Sequence, residues 1–346
     1  PNYPSSQKLN DLVTNAMNNG YNQYAPMAGN LDLLLAISNK YQLLYKSTYH
    51  PEKEITVTAG ATQAIYTIVS TFIRPNDEVI IFKPAYDSYE PSIQLFGGKV
   101  IPVQLDPEIC EIDWVLVKSL ISDKTRMIII NTPHNPSGKI LSAIDMLQLE
   151  NLLKDSNILL LSDEVYEHII FDGEFHQTAA LYPALAQRAF ITASFGKTFH
   201  NTGWKVGYCI APTQLTKEFR KVHQFNVFSV NHPTQVALAE HLKTPNNYLE
   251  LNGFYQQKRD LFLNLIKDSR FEFSPSNGTY FQLLNFKKIT NEKDTDFAFR
   301  LTKENKIASI PISVFNENHL DSKVLRFCFA KTDETLKKAA EILCDI

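Results

Sequence analysis

Seven short runs of apolar, largely β-branched residues constrain this chain more than any other feature. They lie at 55–58, 78–82, 99–105, 126–130, 158–161, 190–193 and 206–210, and most are followed by a helix-forming stretch. Helical spacing of apolar residues is found over 31–46, 64–72, 113–121 and 142–154, with a further helix ending near Phe96. Strands that are apolar without alternation are buried on both faces, and strand–helix–strand order joins them in parallel. The reading is therefore α/β: a three-layer, mostly parallel sheet covered by helices. In such sheets ligands collect beyond the carboxyl ends of the strands. Ala61 and Thr62, Tyr86, Asn135, Asp163, and Ser194 to Lys197 all fall at such ends, so they are expected to face one pocket.

From about Thr213 the texture changes. Helical periodicity runs through 216–225, 234–242 and 248–267. Short strands then return at 271–273, 279–284 and 325–330, beside helices at 295–304 and 333–343. Segregated strands and helices indicate a smaller α+β domain. The expected division is 11–247 for the large domain and 248–346 for the small one. Residues 1–10 join the small domain, and the helix from about Tyr248 is the connector. A length of 346 residues agrees with roughly two domains. A net charge of −3 gives no electrostatic basis for binding nucleic acid or an anionic membrane. No apolar run approaches the ~20 residues of a membrane span. Four scattered cysteines, with no CxxC pair, point to a reducing, cytoplasmic setting. The nine histidines show no HExxH spacing and the acids no calcium loop, so no metal site is expected. The chain begins at Pro1, and an N-terminal segment is expected to be missing.

Three stretches bear on chemistry. Ser194-Phe-Gly-Lys-Thr198 sits between two predicted core strands, where a lysine without a partner is out of place. A surface loop with solvated lysines is one reading, and a Walker phosphate loop a second. The Walker motif needs a glycine where Ile191 stands, so it fails. The third reading is a lysine that forms a Schiff base, with neighbours that hold a phosphate. Ala59-Gly-Ala-Thr-Gln63 is a small-residue turn between a strand and a helix, a place where free N–H groups and the helix dipole favour an anion. Asn131-Thr-Pro-His-Asn-Pro-Ser-Gly138 is a turn cluster at the end of a core strand.

Taken together, Gly60-Ala-Thr-Gln63, Asn131 to Gly138, Ser162-Asp-Glu-Val-Tyr166, Ser194 to Gly207 and Val324-Leu-Arg-Phe-Cys-Phe-Ala330 resemble fold-type I, pyridoxal-phosphate-dependent aminotransferases of class I/II. The resemblance runs the length of the chain. It is closest to the bacterial methionine aminotransferases and to the kynurenine/glutamine transaminase K group. It implies that 11–247 binds pyridoxal 5′-phosphate and that Lys197 is the Schiff-base lysine, which also shuttles the proton at the substrate Cα. Asp163 is implied to pair with the pyridine nitrogen, and Asn135 and Tyr166 with the ring hydroxyl. Ala61, Thr62, Ser194 and Lys205 are implied to hold the phosphate. Tyr86 is implied to stack on the ring, and Arg326 with Asn135 to bind the substrate carboxylate. Lysine at 205 stands where many relatives have arginine, keeping the charge but losing the bidentate fork. Tyr24 matches a tyrosine that reaches the phosphate of a neighbouring subunit, which implies a homodimer with shared sites.

The activity so implied is a ping-pong transfer between an amino acid and a 2-oxo acid. No second arginine is marked for an acidic side chain, so a neutral apolar or aromatic donor is expected. Thr62 and Ser229 stand where kynurenine-type relatives carry an aromatic residue and a histidine, which puts methionine-like donors ahead. The family's N-terminal arm is expected to be absent before Pro1. Two rival readings use the same fold: a C–S β-lyase sharing Lys197 and Asp163, and an inactive regulatory cofactor-binding protein.

Overall fold

A computed structural model describes residues 2–107 and 109–346. Strands β1 (Ile55–Thr58), β2 (Glu78–Lys83), β3 (Lys99–Gln104), β4 (Thr125–Asn131), β5 (Leu159–Asp163), β6 (Ala189–Ser194) and β7 (Gly207–Ile210) form one sheet in the order β1-β7-β6-β5-β4-β2-β3. Only β7 runs against its neighbours, β6 and β1; every other pairing is parallel.

Alternation within the apolar runs builds the two faces. Ile80, Phe82, Ile128, Ile130, Leu160 and Ile191 enter one apolar cluster, while Val79, Ile81, Met127, Ile129, Leu161 and Phe190 enter another. Helices Leu31–Tyr45, Ala143–Leu153 and His232–Leu242 contribute to the first cluster. Helices Gly60–Phe72 and Thr213–Asn226 contribute to the second. The expected three layers are thus present. Consecutive strand residues point to opposite faces and are buried on both.

A third apolar cluster lies around an antiparallel sheet of β8 (Phe281–Asn285), β9 (Ile310–Pro311) and β10 (Val324–Cys328), in the order β8-β10-β9. Helices Leu251–Ile266, Asp294–Lys303 and Asp333–Asp345 cover it. Tyr166, Ile169 and Phe171, which follow β5, reach into this cluster, as does Tyr3 near the N-terminus.

Several boundaries differ from the sequence reading. The helix expected at 64–72 begins at Gly60, which puts its first turn at the end of β1. The strand expected at 271–273 is a single bridge between Glu272 and Asn285. The helix expected at 248–267 breaks at Glu250, between Asn246–Leu249 and Leu251–Ile266. Among the described residues, no helix is long and apolar enough to cross a membrane.

Candidate active site

The carboxyl ends of the parallel strands open onto one cavity, lined by Ala61, Thr62, Tyr86, Asn135, Asp163, Tyr166, Ser194, Lys197 and Lys205. Each of these comes from a motif read in the sequence, and the fold brings them together from across the chain.

One corner is built by backbone. β1 turns at Gly60, whose φ of +77° is a left-handed conformation that suits glycine. No side chain caps the helix Gly60–Phe72, so its first N–H groups, those of Ala61 and Thr62, lack the partner that an N-cap provides. A second glycine permits the close approach. A Cβ on Gly207 of β7 would lie 2.5 Å from the Ala193 carbonyl oxygen and 3.1 Å from the Ala61 nitrogen. Ser194 ends β6 beside this corner. Lys205 curls in with φ +54°, its Nζ 3.4 Å from where a Gly60 Cβ would stand. The corner therefore combines a helix N-terminus, a hydroxyl and an ammonium, a set of donors suited to an anion.

Asp163 ends β5 in the centre. It is buried, and Oδ2 accepts a 2.6 Å hydrogen bond from the Tyr89 hydroxyl. Burial pushes its pKa up to about 6, against the bonds from Tyr89 and from the Val165 backbone. Asn131, in register with Asp163, donates to the Asp163 carbonyl at 2.9 Å and accepts from the Asn135 backbone at 2.8 Å. That second bond orients Asn135. Its Oδ1 accepts a 2.6 Å bond from Arg326 on β10. The Arg326 guanidinium lies over the ring of Phe281 at 4.1 Å and that of Phe315 at 5.5 Å. Burial pulls its pKa down. A half-buried guanidinium with no carboxylate bound to it among the described residues is a place for a carboxylate ligand.

Lys197 sits in the one-turn helix Phe195–Thr198 that follows β6. Its Nζ donates to the Tyr280 hydroxyl at 3.3 Å and lies 5.7 Å from the Tyr166 ring centre. Burial, and then Tyr280 beside it, push the Tyr166 phenol well up, so it stays neutral. Thr62 and Tyr86 share a hydroxyl contact of 3.3 Å at the mouth.

Tyr24 is not in this cavity. It is 80% exposed, with its ring edge-on to Phe228 at 5.4 Å. Arg326 is joined to the site through Asn135. The sequence reading assigned no role to Asn131, Tyr89, Tyr280, Phe281 or Phe315. Asn131 lay inside a quoted motif and Tyr89 three residues beyond Tyr86, so both had a local signal. Tyr280 meets Lys197 across 83 positions of chain, and no local pattern announces that contact.

The family profile described as "Aminotransferase class I and II" matches residues 5–343. The methionine aminotransferase of Escherichia coli is 44% identical over 99% of this chain and 89% of its own length. Its solved structure, described under the name YbdL, superposes with a TM-score of 0.98 and covers 100% of this chain and 92% of that one. The human kynurenine–oxoglutarate transaminase 3 is 32% identical over 98% of this chain and 82% of its own length. The N-succinyldiaminopimelate aminotransferase structure from Mycobacterium tuberculosis gives a TM-score of 0.96 at 31% identity, covering 100% of this chain and 91% of that one.

Proposed function

The chain belongs to the class I and II aminotransferases, and we propose that it uses pyridoxal 5′-phosphate to move the amino group of a methionine-like amino acid to a 2-oxo acid. One observation carries this reading. An amine, a buried carboxylate and an uncapped helix N-terminus face one cavity, and among the described residues neither Lys197 nor Asp163 is in an ion pair. That donor set fits the cofactor: the helix corner suits its phosphate, the carboxylate its ring nitrogen and the amine its aldehyde.

Bound there, the cofactor supplies a carbonyl carbon for amine attachment and an electron sink for charge at the substrate Cα. The residues of this chain do the rest. Ala61, Thr62, Ser194 and Lys205 hold the phosphate. Asp163, kept ionised by a protonated ring nitrogen, holds that proton in place. Asn135 and Tyr166 hydrogen-bond the ring hydroxyl, and Tyr86 covers a ring face. Arg326 binds the substrate α-carboxylate and so presents the Cα–H to Lys197, which takes the proton and returns it. The name of the Escherichia coli relative supports a neutral, apolar side chain, as does a cavity lining that, among the described residues, holds no arginine, Arg326 reaching it through Asn135.

The exposed Tyr24–Phe228 pair supports a homodimer in which Tyr24 serves the neighbouring subunit's phosphate. We assign the chain two domains, 11–247 and 248–346, with 1–10 joined to the second. All four cysteines are free, in keeping with a cytoplasmic protein.

The test is an absorbance spectrum of protein supplied with pyridoxal phosphate, before and after methionine. Conversion of a visible band to a near-ultraviolet one, with the 2-oxo acid of methionine released, is expected. A band that does not change would refute the methionine-like assignment, and no band at all would refute the cofactor. Pyruvate and ammonia from an S-substituted cysteine, with no acceptor present, would mark a β-lyase instead.

A further inference from the structure

The apolar cluster around β8, β9 and β10 meets the loop at Gly138 and the segment that follows β5. The turn 276–280 places its backbone against both. Asn277 and Gly278 donate to the Gly138 carbonyl at 3.0 and 2.8 Å, and Thr279 donates to the Ile169 carbonyl at 3.0 Å. Phe171 donates back to the Asn277 carbonyl at 2.9 Å. The fit depends on two glycines, one from each side. A Cβ on Gly138 would lie 2.6 Å from the Ser276 Cβ, and one on Gly278 would lie 2.8 Å from both the Ile169 oxygen and the Pro133 Cβ. Thr279 adopts φ +63°, a strained conformation for a β-branched residue. So much constraint around one turn points to a side chain that must be placed accurately.

That side chain is Tyr280. It is buried, with its ring edge-on to Tyr166 at 5.3 Å and to Phe281 at 4.8 Å. Tyr255 lies 5.7 Å away on another flank. The ring cannot swing without displacing these neighbours. Its hydroxyl meets the Lys197 amine at 3.3 Å, and no other side-chain hydrogen bond to that amine is found among the described residues.

We propose that Tyr280 is a positioning residue for Lys197: its hydroxyl accepts a hydrogen bond from the amine and fixes where that amine points. This rests on Lys197 being the reacting amine. A lysine has four rotatable side-chain bonds, and a proton transfer needs the nitrogen at hydrogen-bond distance in one direction. Because the anchor is delivered by the cluster around β8, β9 and β10, Lys197 is aimed only when the 276–280 turn is seated.

The experiment compares wild type with Tyr280→Phe, which keeps the packed ring and removes the acceptor. Cofactor-free protein is acetylated with an N-hydroxysuccinimide ester, and the Lys197 peptide is followed by mass spectrometry against exposed Lys221 and Lys338. Lys197 should label about fivefold faster in the variant, the fold-change expected from losing one hydrogen bond, with the reference lysines unchanged. In the loaded enzyme kcat should fall about tenfold with KM for the amino acid unchanged. Gly278→Ala, which displaces the turn but keeps the hydroxyl, should raise Lys197 labelling in the same way. Unchanged labelling in Tyr280→Phe would overturn the proposal. A raised KM at constant kcat would also overturn it, by making Tyr280 a substrate contact. Wild-type protein that fails to transaminate would refute the functional reading alone, since the labelling needs neither cofactor nor substrate.

Discussion

Two lysine–acid sites flank the segment after β5, and they are opposites. On the side of the helix Leu31–Tyr45, Lys40 and Glu167 are both buried and joined at 2.5 Å. Tyr208 accepts from Lys40 at 2.7 Å and donates to Glu167 at 2.9 Å, and Tyr45 donates to the other carboxylate oxygen at 3.3 Å. At the cavity, Lys197 and Asp163 have, among the described residues, only phenols as side-chain hydrogen-bond partners. The consequence for protonation is opposite too. Burial pushes both acids up, but Lys40 and His168 more than offset it at Glu167, holding that pKa at about 2, whereas Asp163 is left at about 6. A buried pair that is fully hydrogen-bonded belongs to the architecture. An acid and an amine that face one cavity without forming an ion pair are instead free to serve a ligand, as proposed above.

Breaking the cavity side should remove chemistry and spare the fold. Lys197→Ala is expected to lower kcat at least about a thousandfold, since it deletes the proposed general base. Its unfolding midpoint should stay near that of wild type. Breaking the other side should do the reverse. Lys40→Met strands the buried Glu167 carboxylate and should cost about 3–5 kcal/mol in urea unfolding, while Lys40→Met with Glu167→Leu should recover much of it. Equal losses in the single and double variants would show that the pair is not what holds this region.

The two acids should also respond to pH in opposite senses. The folded pKa of Asp163 lies above its ordinary 3.8, so the stability linked to it is present below pH 3.8 and lost as pH rises through about 6. That of Glu167 lies below its ordinary 4.5, so its contribution is present above pH 4.5 and lost as pH falls toward 2. Urea unfolding of cofactor-free protein should show wild type losing about 1–3 kcal/mol relative to Asp163→Asn between pH 4 and 7. Relative to Glu167→Gln, it should lose ground only as the pH drops below about 4.5. Parallel curves would remove the contrast. The smallest effect sharpens it: Tyr89→Phe deletes one of the two hydrogen bonds to the Asp163 carboxylate and should slow turnover about fivefold.

How much of this was legible in the chain follows from the range of each signal. The apolar runs of β2, β4, β5 and β6 carried the sheet because burial on both faces leaves its mark on every residue. Asp163, Asn135 and Lys197 stood in motifs written within a few positions. Lys40 looked like one more charge on an amphipathic helix, because its partner Glu167 lies 127 positions away. Tyr280 was hidden for the same reason. β9 spans two residues, one of them proline, and only its pairing with Leu325 and Arg326 makes it a strand. The early start of the helix at Gly60 packs against a glycine at 207, a close approach that lies outside the range of local propensity.

The antiparallel seat of β7 has a consequence for the order in which this protein comes into being. Among the described residues, β1 joins the sheet solely through β7, with Ile55 opposite Ile210. During synthesis, which proceeds from the N-terminus, the first edge must wait for more than a hundred further residues before it can dock. Until then the helix start at Ala61 has no Lys205 or Ser194 to face. Asn135 waits longer still for Arg326, 191 positions on, and Lys197 must wait 83 positions for Tyr280. The groups of the cavity therefore meet only once residues as far along as Tyr280 and Arg326 have been made, and binding of the proposed cofactor would report that this assembly has taken place.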